Sequence, residues 1–379
     1  METYQDSFNT TFSTFPQMYT FHHTQAASSL WTRCRVSSLQ VEPLGPNSPL
    51  LSDVNAFASG TSPDAVADTA ENLGLALRVN GNLHPLRETA YKSLLDRAKI
   101  NGTALPKLRR SELASVLNSC LRLFGAEALV LVREQKVSAV HSGDEADYSV
   151  LPIDDLLSTL QSKLDARFPG NQFELGYADH AISSASWKMP AQKEDLLGSY
   201  AKLLASHGKT AMAAKLTPGV RFLTSDTGVA SAKVSALLLG GQYPIHIGSC
   251  VALDHRHQAD ITHFEEALDQ LFAQFGKSVE QLQSLMEITL QYPVNAMTRI
   301  CKRLSMPKKA ALEAISMYEM AYGGGPATAH DVFLAMQEIP FIMKSDGAPE
   351  SKLLSLEETM ARALTLRWSD YDLAKAVVY

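Results

Sequence analysis

The sequence predicts an α+β protein with a mixed or mainly antiparallel sheet, flanking helices and a helical C-terminal region. Three observations predict it. Apolar β-type runs in the middle of the chain follow one another across short turns, which favours antiparallel pairing. Helical patterns with start and stop signals flank these runs. After Asp260 the pattern is almost wholly helical, without an internal repeat.

The helices are predicted from their terminal signals. Ser62 is an N-cap residue and Pro63 suits the first helical position, so a helix is expected from there to about Leu77. Gly125 is typical of the residue after a helix end. The expected helices before the C-terminal region lie at about 62–77, 85–98, 111–124, 153–167 and 192–207.

The strands are predicted from β-type runs bounded by turn residues. Only residues 134–136 separate two such runs, which predicts a β-hairpin. The expected strands lie at about 128–133, 137–141, 220–223, 230–239 and 243–253, and residues 172–189 are expected to form one or two more. Breaks between the C-terminal helices are expected at Gly276, Pro293, Pro307, 323–326 and 347–349.

The chain divides into three expected parts. Residues 1–60 carry aromatic side chains at mixed spacing and predict an arm that is flexible or docks through these side chains, with packing on a neighbouring subunit as the alternative. Residues 61–260 are expected to form the α+β core domain, and residues 261–379 the helical C-terminal region. The arm's aromatic residues are Phe8, Phe12, Phe15, Tyr19 and Phe21.

Composition excludes several classes of protein. The net charge of -6 and the 45% hydrophobic content fit neither a disordered tail nor a wholly basic nucleic-acid binder. The four widely spaced cysteines form no CxxC pair, which argues against a zinc finger or a disulfide framework. Apolar runs are too short for a membrane span, and a signal-peptide pattern is absent. A soluble, cytoplasmic protein is expected.

The most unusual polar chemistry lies between residues 218 and 263. A hydroxyl-rich turn is followed by two apolar strand-like runs and then by three histidines and two aspartates. We expect a tight turn between strands, with Asp226 and Thr227 bonding backbone N–H groups and Gly228 at positive φ. The polar site predicted here comprises Thr224, Ser225, Asp226, Thr227, His255, Arg256 and His257.

Two other interpretations of this block are weighed. Asp226-Thr227-Gly228 matches the short aspartic-protease signature, but it occurs once and follows Thr and Ser rather than an apolar strand. A metal site would use residue types that favour transition metals. Its candidate ligands are His255, His257, Asp260 and His263. Their spacing matches no standard motif, and Asp260 also suits the N-cap of the following helix.

The strongest basic cluster lies in a helix–turn–helix-like segment of the C-terminal region. No acidic residue occurs between Glu287 and Glu313, so the local charge is positive. This favours non-specific phosphate contact over sequence reading, with a solvated helix surface as the alternative. The predicted nucleic-acid-binding residues are Arg299, Lys302, Arg303, Lys308, Lys309 and, in a second group, Lys107, Arg109 and Arg110.

The common cofactor and nucleophile motifs are absent. The chain has no GxxxxGK[ST], no GxGxxG after a strand and no GxSxG elbow. We therefore assign no catalytic residue and no cofactor, and a non-catalytic role is favoured over an enzyme.

The chain resembles a family of uncharacterised phage- and plasmid-borne proteins that carry a domain of unknown function. The resemblance covers roughly residues 75–375 and leaves the N-terminal arm outside. It rests on the blocks LVLVR, KVSAVHSGDEADYSVLPIDDLL, SWKMP, RFLTSDTG, HIGSCVALDHRH, MPKKAALEAI, ATAHDVFLAM and LEETMARALTLRWSDYD.

This resemblance implies an accessory protein of a mobile element. The implied roles are DNA handling, counter-defence against host immunity, or interaction with the host replication apparatus. We expect binding of nucleic acid, single-stranded DNA in particular, by a homo-oligomer, because basic grooves can coexist with an acidic exterior. The alternative is protein–protein interference with a host or defence protein.

Overall fold

The computed structural model describes residues 2–240 and 244–379. The strands are β1 (Asn9–Phe12), β2 (Leu30–Arg35), β3 (Gln40–Pro43), β4 (Leu75–Val79), β5 (Asn82–Pro85), β6 (Glu127–Arg133), β7 (Lys136–Ser142), β8 (Gln172–Asp179), β9 (Ser183–Lys188), β10 (Thr217–Thr224), β11 (Ala232–Leu239), β12 (Ile245–Leu253), β13 (Thr289–Leu290) and β14 (Ala327–Thr328). The α-helices are α1 (Phe15–Ser28), α2 (Pro63–Glu71), α3 (Glu88–Ala98), α4 (Arg110–Leu121), α5 (Ile153–Arg167), α6 (Lys193–Ser206), α7 (Thr210–Lys215), α8 (Ile261–Ser284), α9 (Pro293–Arg303), α10 (Lys308–Tyr322), α11 (Ala329–Met336), α12 (Glu338–Ser345) and α13 (Glu350–Ala361).

The strands form four sheets, and the prediction of an α+β fold with a mainly antiparallel sheet is confirmed. The largest sheet has the order β1-β8-β9-β10-β11-β12, with antiparallel pairing throughout. Two three-stranded sheets have the orders β2-β6-β7 and β3-β4-β5, and β13 pairs with β14. The predicted helical C-terminal region begins with α8. Within the described residues, no helix is both long and apolar enough to cross a bilayer.

The two faces of the six-stranded sheet differ in chemistry because side chains alternate along each strand. One face is apolar and carries Trp187, Val220 and Phe222, which pack with helices α5, α6 and α8 in the main core. The other face carries hydroxyl and charged side chains, among them Ser186 and Arg221. Helix α13 lies against β12, and its glutamates form ion pairs with cations on the polar face of the six-stranded sheet.

A second apolar core lies under the two three-stranded sheets. Helices α3 and α4 pack there against β7 and β3, and the core side chains include Leu77, Leu94, Leu117 and Val130. The predicted hairpin is confirmed as β6 and β7, although its turn is tighter than expected. Glu134 and Gln135 alone close it, both at positive φ.

The N-terminal segment belongs to these sheets, which corrects the prediction of a flexible or partner-docking arm over 1–60. Strand β1 pairs with β8, β2 with β6 and β3 with β4. The aromatic rings pack within the chain, with Phe12 and Phe21 centroids 5.2 Å apart. These three strands were not predicted, because the mixed spacing of their apolar residues does not show the alternation typical of a strand. The boundary at 260 stays a prediction.

Two predicted boundaries are wrong for local reasons. The first helix ends at Glu71 rather than near Leu77, because Gly74 adopts positive φ and the following apolar residues enter β4. Gly276 does not break the C-terminal helices, since α8 continues through it on a stripe that includes Phe275 and Val279. Tyr243, the predicted start of a strand, lies outside the described residues.

Candidate functional site

The turn after β10 is buried and held by its own hydroxyl groups. Ser225 Oγ accepts hydrogen bonds from the backbone N–H groups of Thr227 and Val229, each at 3.2 Å. Thr227 Oγ1 donates to the Ala181 carbonyl at 3.2 Å. Gly228 adopts φ +77°, as predicted. A tight turn between strands is therefore confirmed.

Asp226 has a different role from the one predicted. Its carboxylate forms a buried ion pair with Arg133 at the end of β6, rather than accepting from backbone N–H groups. Its backbone carbonyl accepts from His141 Nε2 at 2.8 Å and from the Tyr148 hydroxyl at 3.0 Å. The turn is thereby fixed to the β2-β6-β7 sheet.

Three stacked aromatic rings form a column beside this turn, and a fourth ring flanks it. The His141 and Tyr148 rings stack with centroids 3.6 Å apart, and Tyr148 stacks on His255 at 5.5 Å. The Trp31 ring lies beside the first pair, 6.1 Å from His141 and 6.0 Å from Tyr148. Burial lowers the pKa of His141 to about 4, so its imidazole is neutral at pH 7. Because Nε2 donates to a carbonyl, Nδ1 carries the unshared pair.

A polar cleft of about 770 Å³ opens beside the column, between α3 and the segment that follows β12. We call it the α3 cleft. Thr89 and Ser93 fix α3 to β7, because Thr89 Oγ1 donates to the Ser138 carbonyl and Ser93 Oγ accepts from the Val140 N–H, both at 2.8 Å. The charged residues that line the α3 cleft are Lys92, Asp96, Arg97, Lys99, Asp147, Asp254 and Arg256.

The α3 cleft unites part of the predicted polar site with residues that the sequence analysis missed. Thr227, His255 and Arg256 line it, whereas Thr224 and Ser225 are buried beneath it. The α3 residues were missed because they lie more than a hundred positions earlier in the chain. The one available signal was the spacing of Thr89 and Ser93 by four residues, which puts two hydroxyls on one helix face.

The residues after β12 do not form the alternative metal site. His255 is buried and its Nδ1 donates to the Ser149 carbonyl at 3.2 Å, whereas His257 is exposed at φ +57°. Strand β12 ends at Leu253, so the two imidazoles do not share a face as predicted. Asp260 caps α8 through the His263 N–H at 3.0 Å. No group of three metal-ligating side chains occurs in the part of the chain that the structure describes.

Two residues of the predicted basic cluster are engaged by the segment 372–379, which we call the C-terminal strap. Arg299 Nη2 donates to the Lys375 carbonyl at 2.6 Å, and Lys302 Nζ donates to the Val378 carbonyl at 3.2 Å. The Asp372 carboxylate accepts from two backbone N–H groups at the start of α9, at 2.6 and 2.8 Å. The strap thus follows α9 along its length.

A third residue of the cluster, Arg303, borders a second cavity of about 680 Å³, the basic cleft. Arg303 lines it together with Lys352 and Arg362 of the α13 region, which the sequence analysis missed. The hydroxyl-bearing residues Ser305, Ser355, Thr359 and Thr365 complete the polar lining. No Asp or Glu occurs among the described residues that line it.

Helix α13 explains why this cleft is cationic. Glu357 pairs with Arg221 and with His246 at 3.0 Å, and Glu358 pairs with Lys233 at 2.9 Å. Burial would raise the pKa of Glu357, but Arg221 and His246 outweigh burial and lower it. The acidic side of the helix is therefore held against the six-stranded sheet.

The remaining predicted basic residues do not line the basic cleft. Lys308 is exposed, and Lys309 pairs with Asp346 at 2.7 Å. The group Lys107, Arg109 and Arg110 lies at the start of α4, and none of its members lines the basic cleft. The structure therefore does not bring the two basic groups into one cavity.

The helix–turn–helix-like segment is present as α9 and α10, with a turn over 304–307. After Lys308 and Lys309 in its first turn, the exposed side of α10 carries apolar, acidic and serine residues and no Arg, Asn or Gln. Met320 and Tyr322 are 77% and 76% exposed. Such a surface is unsuited to the major groove, where Arg, Lys, Asn and Gln read bases.

Comparison of the chain with protein-family models, with curated proteins and with solved structures finds no match in any of the three. The resemblance to phage- and plasmid-borne proteins therefore stays a prediction. Function has to be argued from the two clefts and the exposed side of α10.

We predict that acid destabilises the fold through His141. Its unfolded pKa near 6.5 exceeds its folded pKa of about 4, so the unfolded chain binds the proton first as pH falls. The free energy of unfolding should therefore drop by about 3 kcal/mol from this residue between pH 6.5 and pH 4. Urea unfolding across that range should show a shallower drop for His141→Gln than for the unsubstituted protein.

His257→Asn serves as the control, because its imidazole is exposed and asparagine also tolerates a left-handed backbone. The control should keep the full pH dependence. An H141Q protein with the same dependence would contradict the prediction.

Proposed function

We propose that the protein binds nucleic acid, single-stranded DNA in particular, through phosphate contacts in the basic cleft. The observation that carries the proposal is the lining itself. Arg303, Lys352 and Arg362 meet there with four hydroxyl-bearing residues and without a carboxylate among the described lining residues. Guanidinium and ammonium groups are the usual donors to phosphate oxygens, and hydroxyls supplement them.

A single strand suits the cleft better than a duplex. The cationic groups line a cavity between α13 and the α9–α10 turn, and a duplex would more readily meet an exposed basic surface. The cleft has no aromatic lining residue in the described chain, so base stacking is not expected there. Binding should therefore depend on the backbone and tolerate any base sequence.

The C-terminal strap competes with nucleic acid for two basic residues next to the cleft. Its carbonyls hold Arg299 and Lys302, which precede the cleft-lining Arg303 on α9. A strand that extends from the cleft along α9 would compete with those carbonyls for the same donors. We infer that release of the strap strengthens binding.

The exposed side of α10 supports assembly of several subunits. Leu312, Met317, Met320 and Tyr322 are between 41% and 77% exposed, and a groove of about 780 Å³ runs beside them. Clusters of exposed methionine and tyrosine are common at protein interfaces. We propose that the protein is a homo-oligomeric accessory protein of a mobile element. The same face also supports the second candidate, binding to a host or defence protein without catalysis.

The first test removes the cations of the basic cleft. The variant Arg303→Ala/Lys352→Ala/Arg362→Ala should bind labelled single-stranded DNA roughly 10- to 100-fold more weakly, and its affinity should depend less on salt. A fluorescence titration at low and at physiological salt gives both quantities.

The matched control Arg122→Ala/Lys202→Ala/Lys277→Ala removes three exposed cations elsewhere and the same total charge. Its binding should stay within a few-fold of the unsubstituted protein. Equal losses in both variants would indicate attraction by net charge alone. Salt-independent or absent binding by the unsubstituted protein would refute nucleic-acid binding.

The second test releases the C-terminal strap. Asp372→Ala removes the carboxylate that caps the start of α9, which should cost about 1 kcal/mol in the free energy of unfolding. Because Arg299 and Lys302 become available, the affinity for single-stranded DNA should rise several-fold. Asp370→Ala, which removes an exposed carboxylate of the same region, is the control. Unchanged or weaker DNA binding by D372A would argue against competition.

The third test concerns assembly. Met320→Asp/Tyr322→Asp places two charges on the exposed side of α10, so the solution mass from light scattering should fall to that of one chain. Glu319→Asp/Lys202→Glu, which alters charge without adding it to the apolar face, should keep the oligomer. A monomeric unsubstituted protein would remove the oligomer from the proposal.

A further inference from the structure

The α3 cleft is lined by three cationic side chains, Arg97, Lys99 and Arg256, that form no ion pair with a carboxylate of the described residues. Arg97 is half-buried, and its Nε is shielded from solvent without a hydrogen-bond partner in the described ranges. Lys99 and Arg256 line the same cleft, and neither takes part in an ion pair with a described residue. A buried donor without a partner costs free energy, and a bound acceptor would recover it.

The same cleft also offers acceptors. The Asp147 carboxylate accepts a hydrogen bond from the Ser142 hydroxyl at 3.0 Å, and the Asp254 carboxylate accepts one from the Ser231 hydroxyl. Each carboxylate keeps acceptor capacity for further N–H or O–H donors. The unprotonated Nδ1 of His141 adds a third acceptor in the lining.

We propose that the α3 cleft binds a small organic phosphate, with the phosphoryl group held by Arg97, Lys99 and Arg256. Hydroxyl or amino groups on the body of the ligand donate to Asp147 and Asp254. A phosphomonoester matches this set because it combines a dianion with neutral donors, and the guanidinium fork suits phosphoryl oxygens. The volume of about 770 Å³ falls within the range of small-molecule sites.

The turn after β10 shapes this site. Gly228 lies at φ +77°, and a β-carbon there would sit 3.2 Å from the His141 ring. The glycine therefore keeps the wall of the cleft close to the aromatic column and leaves the space above it open. The site does not depend on the basic cleft, because the two have no lining residue in common.

The test is a calorimetric titration of the full chain with adenosine monophosphate, inorganic phosphate and adenosine. Adenosine monophosphate should bind saturably and at least tenfold more tightly than either of the other two. Arg97→Ala should weaken it at least tenfold. Arg167→Ala, which removes an arginine from the last turn of α5 as Arg97 lies in the last turn of α3, should not.

A second pair of variants protects the test against misfolding. Val229 lines the cleft and is 49% exposed, so Val229→Glu and Val229→Gln should both fold. Only the glutamate, which repels the phosphoryl group, should abolish binding. No saturable binding of adenosine monophosphate, binding of inorganic phosphate with equal affinity, or binding that survives both R97A and V229E would overturn the proposal. Single-stranded DNA binding should be unaffected by R97A, which separates the two sites.

Discussion

The buried ion pair between Arg133 and Asp226 joins the two sheet systems of the fold. Arg133 ends β6, and Asp226 lies in the turn after β10. Two desolvated charges are tolerable only where neighbouring bonds complete their coordination. Ser29 accepts from Arg133 Nε at 2.9 Å, while His141 and Tyr148 donate to the Asp226 carbonyl. The wall of the α3 cleft depends on this arrangement, since the same turn carries the cleft-lining residues.

A second set of buried charges explains why the N-terminal segment is part of the fold. Lys136 is fully buried and pairs with Asp6 and Asp68, and Arg87 pairs with Asp6 and Glu134. Burial raises the pKa of Asp6 and of Glu134, although the cations oppose it. A lysine without solvent needs carboxylates within reach. Asp6 of the N-terminal segment therefore completes, together with Asp68, the pairing of the buried Lys136 in the β6–β7 hairpin.

The sequence predicts those elements that local signals determine. Helix α5 was expected at 153–167 and begins and ends there, because its apolar spacing and the Pro169-Gly170 pair that follows it are local signals. The roles of Asp226 and Asp6 could not be predicted, since their partners lie 93 and 130 residues away. One side of the α3 cleft was predicted, because its turn carries a conspicuous polar pattern. The other side was not, because Arg97 resembles an ordinary exposed residue of a helix.

Net charge is a poor guide to partners in this protein because the fold separates charges of opposite sign. Helix α13 places Glu357 and Glu358 against cations of the sheet, while Lys352 and Arg362 line the basic cleft. Exposed charges more than about 8–10 Å apart are screened at physiological salt, so a bound strand responds chiefly to the nearest groups. An overall charge of -6 is therefore compatible with an anion-binding cleft. For the nucleic acid proposed above, the acidic remainder would oppose binding elsewhere on the surface and favour the cleft.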